Sequence, residues 1–416
     1  MFVKTIVFLI LAATLPLPAQ HEHHHAGMSD GMGGMNPAGG FLMRQASGTS
    51  MNPTAWPMPM VMSNAGGWHF MFMGQAFIAA TQQSGPRGAD KVYSPNWGMI
   101  SAVHSLGKGS VMLTLMPTLD PLTVTHRSYP LLFQTGESAF GRPLVDRQHP
   151  HELIMGLGVQ YARPLGESTM FQAYFAPVGE PALGPVAFPH RASAYELPQA
   201  TLAHHWQDST HIANEVVTVA VKHRWMRVEA SGYYGREPDE NRWNIDHGPI
   251  DSWSTRLSVF PSENWAAQVS MGRLRNPEVH EEGDVVRATA SLHYTRPMRG
   301  SHWSSSLIWG RNHKTDHGTN SNSYTLESLF PVTPRNLVTG RAELVDKDEL
   351  FPDVHHAPSY RVGAWTAGYT RELGGMKHLA SAIGANVTAY TMPGALERFY
   401  DTRPWGVTVF LRFRLQ

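Results

Sequence analysis

The stretch WGVTVFLRFRL, Trp405–Leu415, decides the fold. Trp405, Val407, Val409, Leu411, Phe413 and Leu415 point to one side of an extended chain. Thr408, Arg412 and Arg414 point to the other, with Phe410 as the exception. Apolar and polar residues alternating with period 2 over this length mark a strand. An arginine pair on one strand face does not suit the dry core of a sandwich, where an unpaired charge is costly. It suits a strand with an apolar environment outside and a wet lumen inside.

The pattern recurs upstream. In DSWSTRLSVF, Trp253, Thr255, Leu257 and Val259 oppose Ser254, Arg256 and Ser258. In VVRATASLHY, Val286, Ala288, Ala290, Leu292 and Tyr294 oppose Arg287, Thr289, Ser291 and His293. In WMRVEASGYY, Met226, Val228, Ala230 and Tyr234 oppose Arg227, Glu229 and Ser231. Sixteen such segments are expected, at 68–80, 97–106, 109–118, 151–162, 168–176, 211–222, 225–235, 250–260, 264–274, 285–295, 302–311, 321–331, 335–345, 361–371, 379–390 and 405–415. Their connections alternate between short turns, such as Gly107–Lys108 and His223–Arg224, and long loops, such as 119–150 and 177–210. Strict alternation with an even strand count is the plan of a closed transmembrane β-barrel. The expected fold is therefore all-β, an antiparallel barrel of about 16 strands over residues 68–416.

Composition agrees. Charged residues are 16% of the 416, formal net charge is zero and cysteine is absent. The neutral balance argues against a nucleic-acid partner. A chain without disulfides must rely on packing and hydrogen bonds. Residues 1–20 read as a secretory signal peptide, with Lys4, an apolar run from Ile6 to Leu15, and Ala19 near the cleavage point. That run is shorter than the roughly 20 residues a spanning helix needs. An exported chain of this kind can still span a membrane as a closed barrel.

Residues 21–67 read differently. They begin HEHHHAGMSDGMGGM and include MNPTAWPMPMVM, Met51–Met62, whose three prolines forbid a regular helix. The expectation is a flexible periplasmic Met/His-rich arm, with Trp56–Met62 packed in the barrel mouth. His21, His23, His24 and His25 offer imidazole; Met28, Met32, Met35, Met58, Met60 and Met62 offer thioether. Thioethers select Cu(I), and imidazole suits Cu(II), Zn or Ni. Copper in either oxidation state is the expected ligand. A tail of merely biased composition is the alternative.

Two further groups carry possible chemistry. FGRPLVDRQHPHELIMG, Phe140–Gly156, holds Asp146, His149, His151 and Glu152. His-x-His puts two imidazoles on one side of an extended chain, so His149 and His151 are candidate metal ligands. The alternative is a loop fastened by Arg142, Asp146 and Arg147. His204, His205 and His211 are further loop histidines that could converge at the outer face. The inward parity of the strands also collects Arg227, Arg256, Arg287, Arg341, Arg412 and Arg414 with Glu229, Glu327, Glu343 and His293. Lining an open pore, this excess of cations gives a mild anion preference. Paired with each other, the same charges stiffen the wall. The long loops 119–150 and 177–210 are long enough to fold inward and constrict the channel. Enzyme signatures are weak: GESAFG has Phe140 where a nucleophile elbow needs glycine, and GLGVQY lacks the third glycine of a dinucleotide loop.

Strand pattern, loop alternation and signal sequence together resemble the Gram-negative outer-membrane β-barrel proteins. That resemblance implies insertion among outer-membrane lipids, recognition by the barrel-assembly machinery and an arm on the periplasmic side. Such barrels usually end on an aromatic residue, whereas this chain ends Leu415-Gln416. A signal peptide, a Met/His-rich arm and a C-terminal barrel also resemble, in layout, the copper resistance protein B family, although regular Met-Asp-His repeats are missing. That layout implies a non-enzymatic role in copper or related metal tolerance, through periplasmic metal binding or passage through the pore. The alternatives are a general or anion-leaning porin with an incidental arm, and an outer-membrane hydrolase.

Overall fold

The computed structural model describes residues 35–280, 283–298, 300–354 and 357–416. The signal-peptide reading and candidate ligands His21, His23, His24, His25, Met28 and Met32 lie outside these residues. Sixteen antiparallel strands form the wall: β1 Trp68–Gln83, β2 Asn96–Leu106, β3 Gly109–Pro117, β4 Ile154–Pro164, β5 Thr169–Gly179, β6 Ala213–His223, β7 Met226–Tyr234, β8 Ser252–Ser262, β9 Trp265–Leu274, β10 Val285–Met298, β11 Ser301–Lys314, β12 Thr319–Thr333, β13 Asn336–Lys347, β14 Tyr360–Met376, β15 Leu379–Thr391 and β16 Trp405–Leu415. Each pairs with its chain neighbours, and β16 closes on β1 from Gln75↔Arg414 to Gln83↔Gly406. Closure satisfies every strand edge, the condition for spanning a bilayer with β-structure. Among the described residues no helix is long and apolar enough to cross a membrane.

Side chains follow the expected inversion of polarity. On β6, Val217, Val219 and Val221 are exposed, while Val216, Thr218 and Ala220 are buried. On β16, Trp405, Val409 and Leu411 face out, and Thr408 and Arg412 face in. Phe410, the exception in that strand, is buried against Phe77 at 5.3 Å between ring centroids. Its apolar side chain belongs to a local hydrophobic cluster inside the barrel.

Connections alternate as expected, with one difference. The link between β11 and β12, read as a long loop, is residues 315–318 only, because both strands run further than their apolar alternation. At the short-turn end, strand Val61–Ala65 folds back on Phe72–Trp68 through Gly66–Gly67, both at positive φ. Paired positive φ is what a tight two-residue hairpin needs.

The arm expectation fails for residues 35–60, which lie inside the barrel. Asn36 caps the helix Pro37–Leu42 by accepting from Gly39 N at 2.9 Å, with proline at the first helical position. From there the chain crosses the lumen. Gly48 O accepts from Gln160 on β4, Thr49 Oγ1 accepts from Arg256 on β8 at 2.9 Å, and Ala55 N reaches Glu263 O in the β8–β9 turn. Gly48 sits at φ +52 so close to Glu180 that a Cβ would meet the Glu180 backbone. Beyond the short helix the stretch lacks periodic patterning because it packs in extended and turn conformations against a wall.

Candidate functional site

The site is the barrel interior. Three segments fill it: residues 35–60, the β5–β6 loop, 180–212, and residues 129–139 of the β3–β4 loop, which pack with Phe77, Tyr390 and Phe410 of the wall as the inward folding of loop 119–150 requires. Nearly every residue of the β5–β6 loop is buried, Arg191 completely. The long-loop expectation of inward folding holds for both loops.

Of the ten inward residues read from strand parity nine are buried and Arg414 is half-buried, and each is held by a partner in or beside these segments. Arg227 donates to Thr49 O, and Arg256 donates to Thr49 Oγ1 and to Gly184 O. Glu229 sits between them, 3.2 Å from Arg227 and 2.9 Å from Arg256. Arg287 donates to Ser209 Oγ at 2.8 Å. His293 bonds Ser306 Oγ at 2.7 Å, and Ser306 Oγ lies 2.6 Å from Ser193 Oγ. Glu327 accepts from Arg191 and Arg341 at 2.8 and 2.9 Å, while Arg341 also donates to the Gln199 and Ala200 carbonyls. Glu343 accepts from Ala203 N at 3.3 Å. Arg412 and Arg414 clamp Glu196 and Glu372. The inserted loop therefore brings Glu196 to Arg412 and Arg414 and Glu180 to Arg256, while its Asp208 pairs with Arg191 of the same loop.

Two chemically distinct chambers flank the docked loop. One is built of thioethers. Twelve of the chain's 21 methionines share one hydrophobic cluster. Met35, Met43, Met58, Met60 and Met62 come from the N-terminal segment, and Met71, Met73, Met99, Met112, Met116, Met155 and Met170 from β1–β5. A cavity of about 30 Å³ among them is lined by Met71, Met99, Met112, Met116, Met155 and His211. Candidates Met35, Met58, Met60 and Met62 thus do gather, with wall methionines that the strand reading passed over. Their signal was inward parity: Met71 and Met73, then Met112 and Met116, repeat at even spacing on one strand face.

The other chamber is built of imidazoles. His149 and His151, on the β3–β4 loop, meet His204, His205 and His211 of the β5–β6 loop. Ring centroids are 6.2 Å apart for His149–His204, 6.0 Å for His149–His205, 5.1 Å for His204–His205 and 5.4 Å for His151–His211. Each Nδ1 faces an oxygen: Pro150 O for His149, Asp120 for His151, Asp208 for His204, Glu237 for His205 and Asp208 O for His211, all at 2.8–3.1 Å. Nε2 of His151, His205 and His211 is buried without a partner. Nε2 of His149 lies 2.8 Å from Glu137 Oε1 but off hydrogen-bonding geometry. Burial lowers His149 and His205 to about 4, and lowers His204 against the opposing pull of Asp208. Burial pushes Glu137 up, yet Arg242 and His149 outweigh it and hold the carboxyl below its usual range. His149, His204 and His205 are thus neutral at pH 7, the form that ligates metals, whereas for His151 burial is outweighed by the Asp120 carboxylate and its acidic neighbours, which hold it above the usual imidazole range.

The loop-fastening alternative is modified. Asp146 pairs with Arg87 at 2.9 Å rather than with its neighbours, and Arg242 clamps Glu137 and Glu152. His355 and His356 lie outside the described residues. GESAFG falls on the hairpin Tyr129–Ala139/Arg142–Gln148, and GLGVQY lies within β4, so neither forms a strand-to-helix turn.

Solved structures share this fold. The chain has the fold of a closed sixteen-strand barrel resembling outer-membrane porins. It is similar to an anion-selective porin from Comamonas acidovorans (TM-score 0.52, 12% identity, 83% of this chain and 99% of the porin). It is also similar to OprB of Pseudomonas putida (0.51, 9%, 84% and 94%) and to OmpF of Salmonella typhi (0.50, 9%, 85% and 100%). No family model matches the sequence, and no curated protein does. The layout shared with the copper resistance protein B family finds no support in these comparisons.

Proposed function

We propose that the chain is a non-enzymatic outer-membrane channel of the porin kind, restricted rather than general, and closed in the conformation described. The observation that carries this reading is the docking of segments 35–60 and 180–212 onto the inward charges. A wide pore leaves such charges facing water. Here buried pairs hold protein across the lumen, and removing one member of such a pair is strongly unfavourable. The apolar outer face of the wall and its porin-like fold support an outer-membrane setting. Recording of the full chain in planar bilayers tests the reading. Rare, small steps are expected, growing in size and frequency when Arg191→Met and Glu196→Gln weaken the docked loop. Large steady steps from the unaltered chain, unchanged by these substitutions, would contradict it.

A second reading, transit or retention of copper in the service of metal tolerance, is favoured by the methionine-lined cavity. Thioethers bind Cu(I) in preference to hard cations. Proteoliposomes carrying the chain should admit Cu(I) faster than those carrying Met99→Leu, Met116→Leu and Met155→Leu together, which keep side-chain volume. Equal rates would remove this reading.

A further inference from the structure

One nitrogen from each of His149, His204 and His205 lies within 4.8 Å of the others, and all three residues are buried. Three imidazoles sharing an ion at about 2.1 Å stand roughly 3.4 Å apart. Side-chain rotation of about an ångström therefore closes the set. The surroundings are those of a ligand shell. Nδ1 of His149 can only donate to the Pro150 carbonyl, so neutral His149 turns its Nε2 lone pair toward the Glu137 carboxylate. Two electron-rich groups at 2.8 Å repel unless a cation or proton lies between them. Asp208 and Glu237 hold His204 and His205 by Nδ1, leaving Nε2 for a ligand. Such carboxylate–imidazole pairs orient metal ligands and raise their basicity.

Access is also built in. At the long-loop end a cavity of about 870 Å³ is lined by Gly136 and Glu137, among acidic residues that include Asp348 and Asp353. Gly136, at φ +105, lies flat against His205, so that a Cβ there would meet the ring at 2.4 Å. Any larger residue would push His205 away. On the far side His211, 5.2 Å from His204, lines the methionine cavity.

We propose that His149, His204 and His205 form a binding site for a borderline divalent transition-metal ion, with Glu137 as a fourth, carboxylate ligand. Imidazole with one carboxylate suits Zn(II) and Cu(II) over Mg(II) or Ca(II). The inference goes beyond both functional readings, since it concerns equilibrium binding and holds whether or not the barrel conducts. The experiment titrates the full chain in detergent with Cu(II) and, separately, Zn(II). The chain is compared with one carrying His21, His23, His24 and His25 all changed to Asn, and with one carrying His149→Ala, His204→Ala and His205→Ala. One tight equivalent is expected to survive the tail changes and to weaken at least ~10-fold in the triple-alanine chain. Loss with the tail changes alone, or an unaltered equivalent in the triple-alanine chain, would overturn the site. Should the triple-alanine chain fail to fold, electron paramagnetic resonance of the tail-altered chain with one Cu(II) decides. Imidazole nitrogen coupling supports the site, and an all-oxygen spectrum overturns it.

Discussion

Two of the segments that fill the lumen, residues 35–60 and 180–212, do the same task with different chemistry. Residues 35–60 hold on by Leu42, Met43, Trp56 and Met58 in an apolar cluster, and by backbone carbonyls offered to Arg227 and Gln160. Residues 180–212 hold on by charge: Arg191, braced by Asp208 of the same loop, to Glu327, and Glu196 to Arg412 and Arg414. The difference teaches where each kind of perturbation will act. Apolar docking fails gradually as contacts are trimmed. Charge docking fails abruptly, because a deleted partner strands a buried ion.

The largest effect is therefore expected from Arg191→Met. It leaves Glu327 with Arg341 alone and Asp208 without its guanidinium, at a cost of about 3–5 kcal/mol in urea unfolding. Loop release should appear as a gain in conductance. An unchanged urea midpoint would mean that the loop does not depend on that pair. In the other segment, Leu42→Ala removes a buried side chain from a methionine-rich cluster that can partly collapse. About 2–3 kcal/mol is expected, at the low end for such truncations. A loss equal to that of Arg191→Met would erase the contrast between the segments.

Acid should separate them as well. His190, on the charged loop, stacks edge-on against Trp97 with both ring nitrogens unpartnered. Burial lowers it to about 3. Its folded value lies below the unfolded value of about 6.5, so the unfolded chain binds the extra proton. Its contribution is full above pH 6.5 and is lost as pH falls toward 3, by up to about 1.4 kcal/mol per pH unit. His190→Phe should flatten that part of the stability profile measured by tryptophan fluorescence. An identical profile would assign the acid response elsewhere. The smallest effect is expected from Met99→Leu in the wall facing residues 35–60: less than about 1.5 kcal/mol, since the volume is kept.

How much of this was legible varies with the kind of order involved. The wall reads directly, because a barrel turns its apolar face outward and a single strand such as Trp405–Leu415 carries both faces in its alternation. The plug does not. Residues 35–60 have neither period 2 nor period 3.6, so composition alone makes them look like an arm. What fixes them is Arg227 and Arg256, more than 170 positions away. The charge reading named ten residues that the fold turns inward, and it passed over Lys347 on β13, which donates to Leu202 O of the docked loop. It could not supply Glu196 or Glu180, which compensate wall arginines from a loop. Of the histidine chamber, His149 and His151 stood out by spacing. His204 and His205 were visible as a pair, but only the fold brings both pairs together. The wall methionines escaped notice because β1–β3 are apolar on both faces, which hides parity.

The central claim is that the β5–β6 loop is docked against the wall. The chain has no cysteine, so a single introduced pair reports without competition. Ser193 Oγ and Ser306 Oγ are 2.6 Å apart, within reach of a disulfide. The chain carrying Ser193→Cys and Ser306→Cys should form that bond quantitatively under mild oxidation, as read by mass spectrometry, with no change in conductance. Two free thiols, or a conductance that falls when the bond forms, would show that the loop ordinarily lies away from the wall.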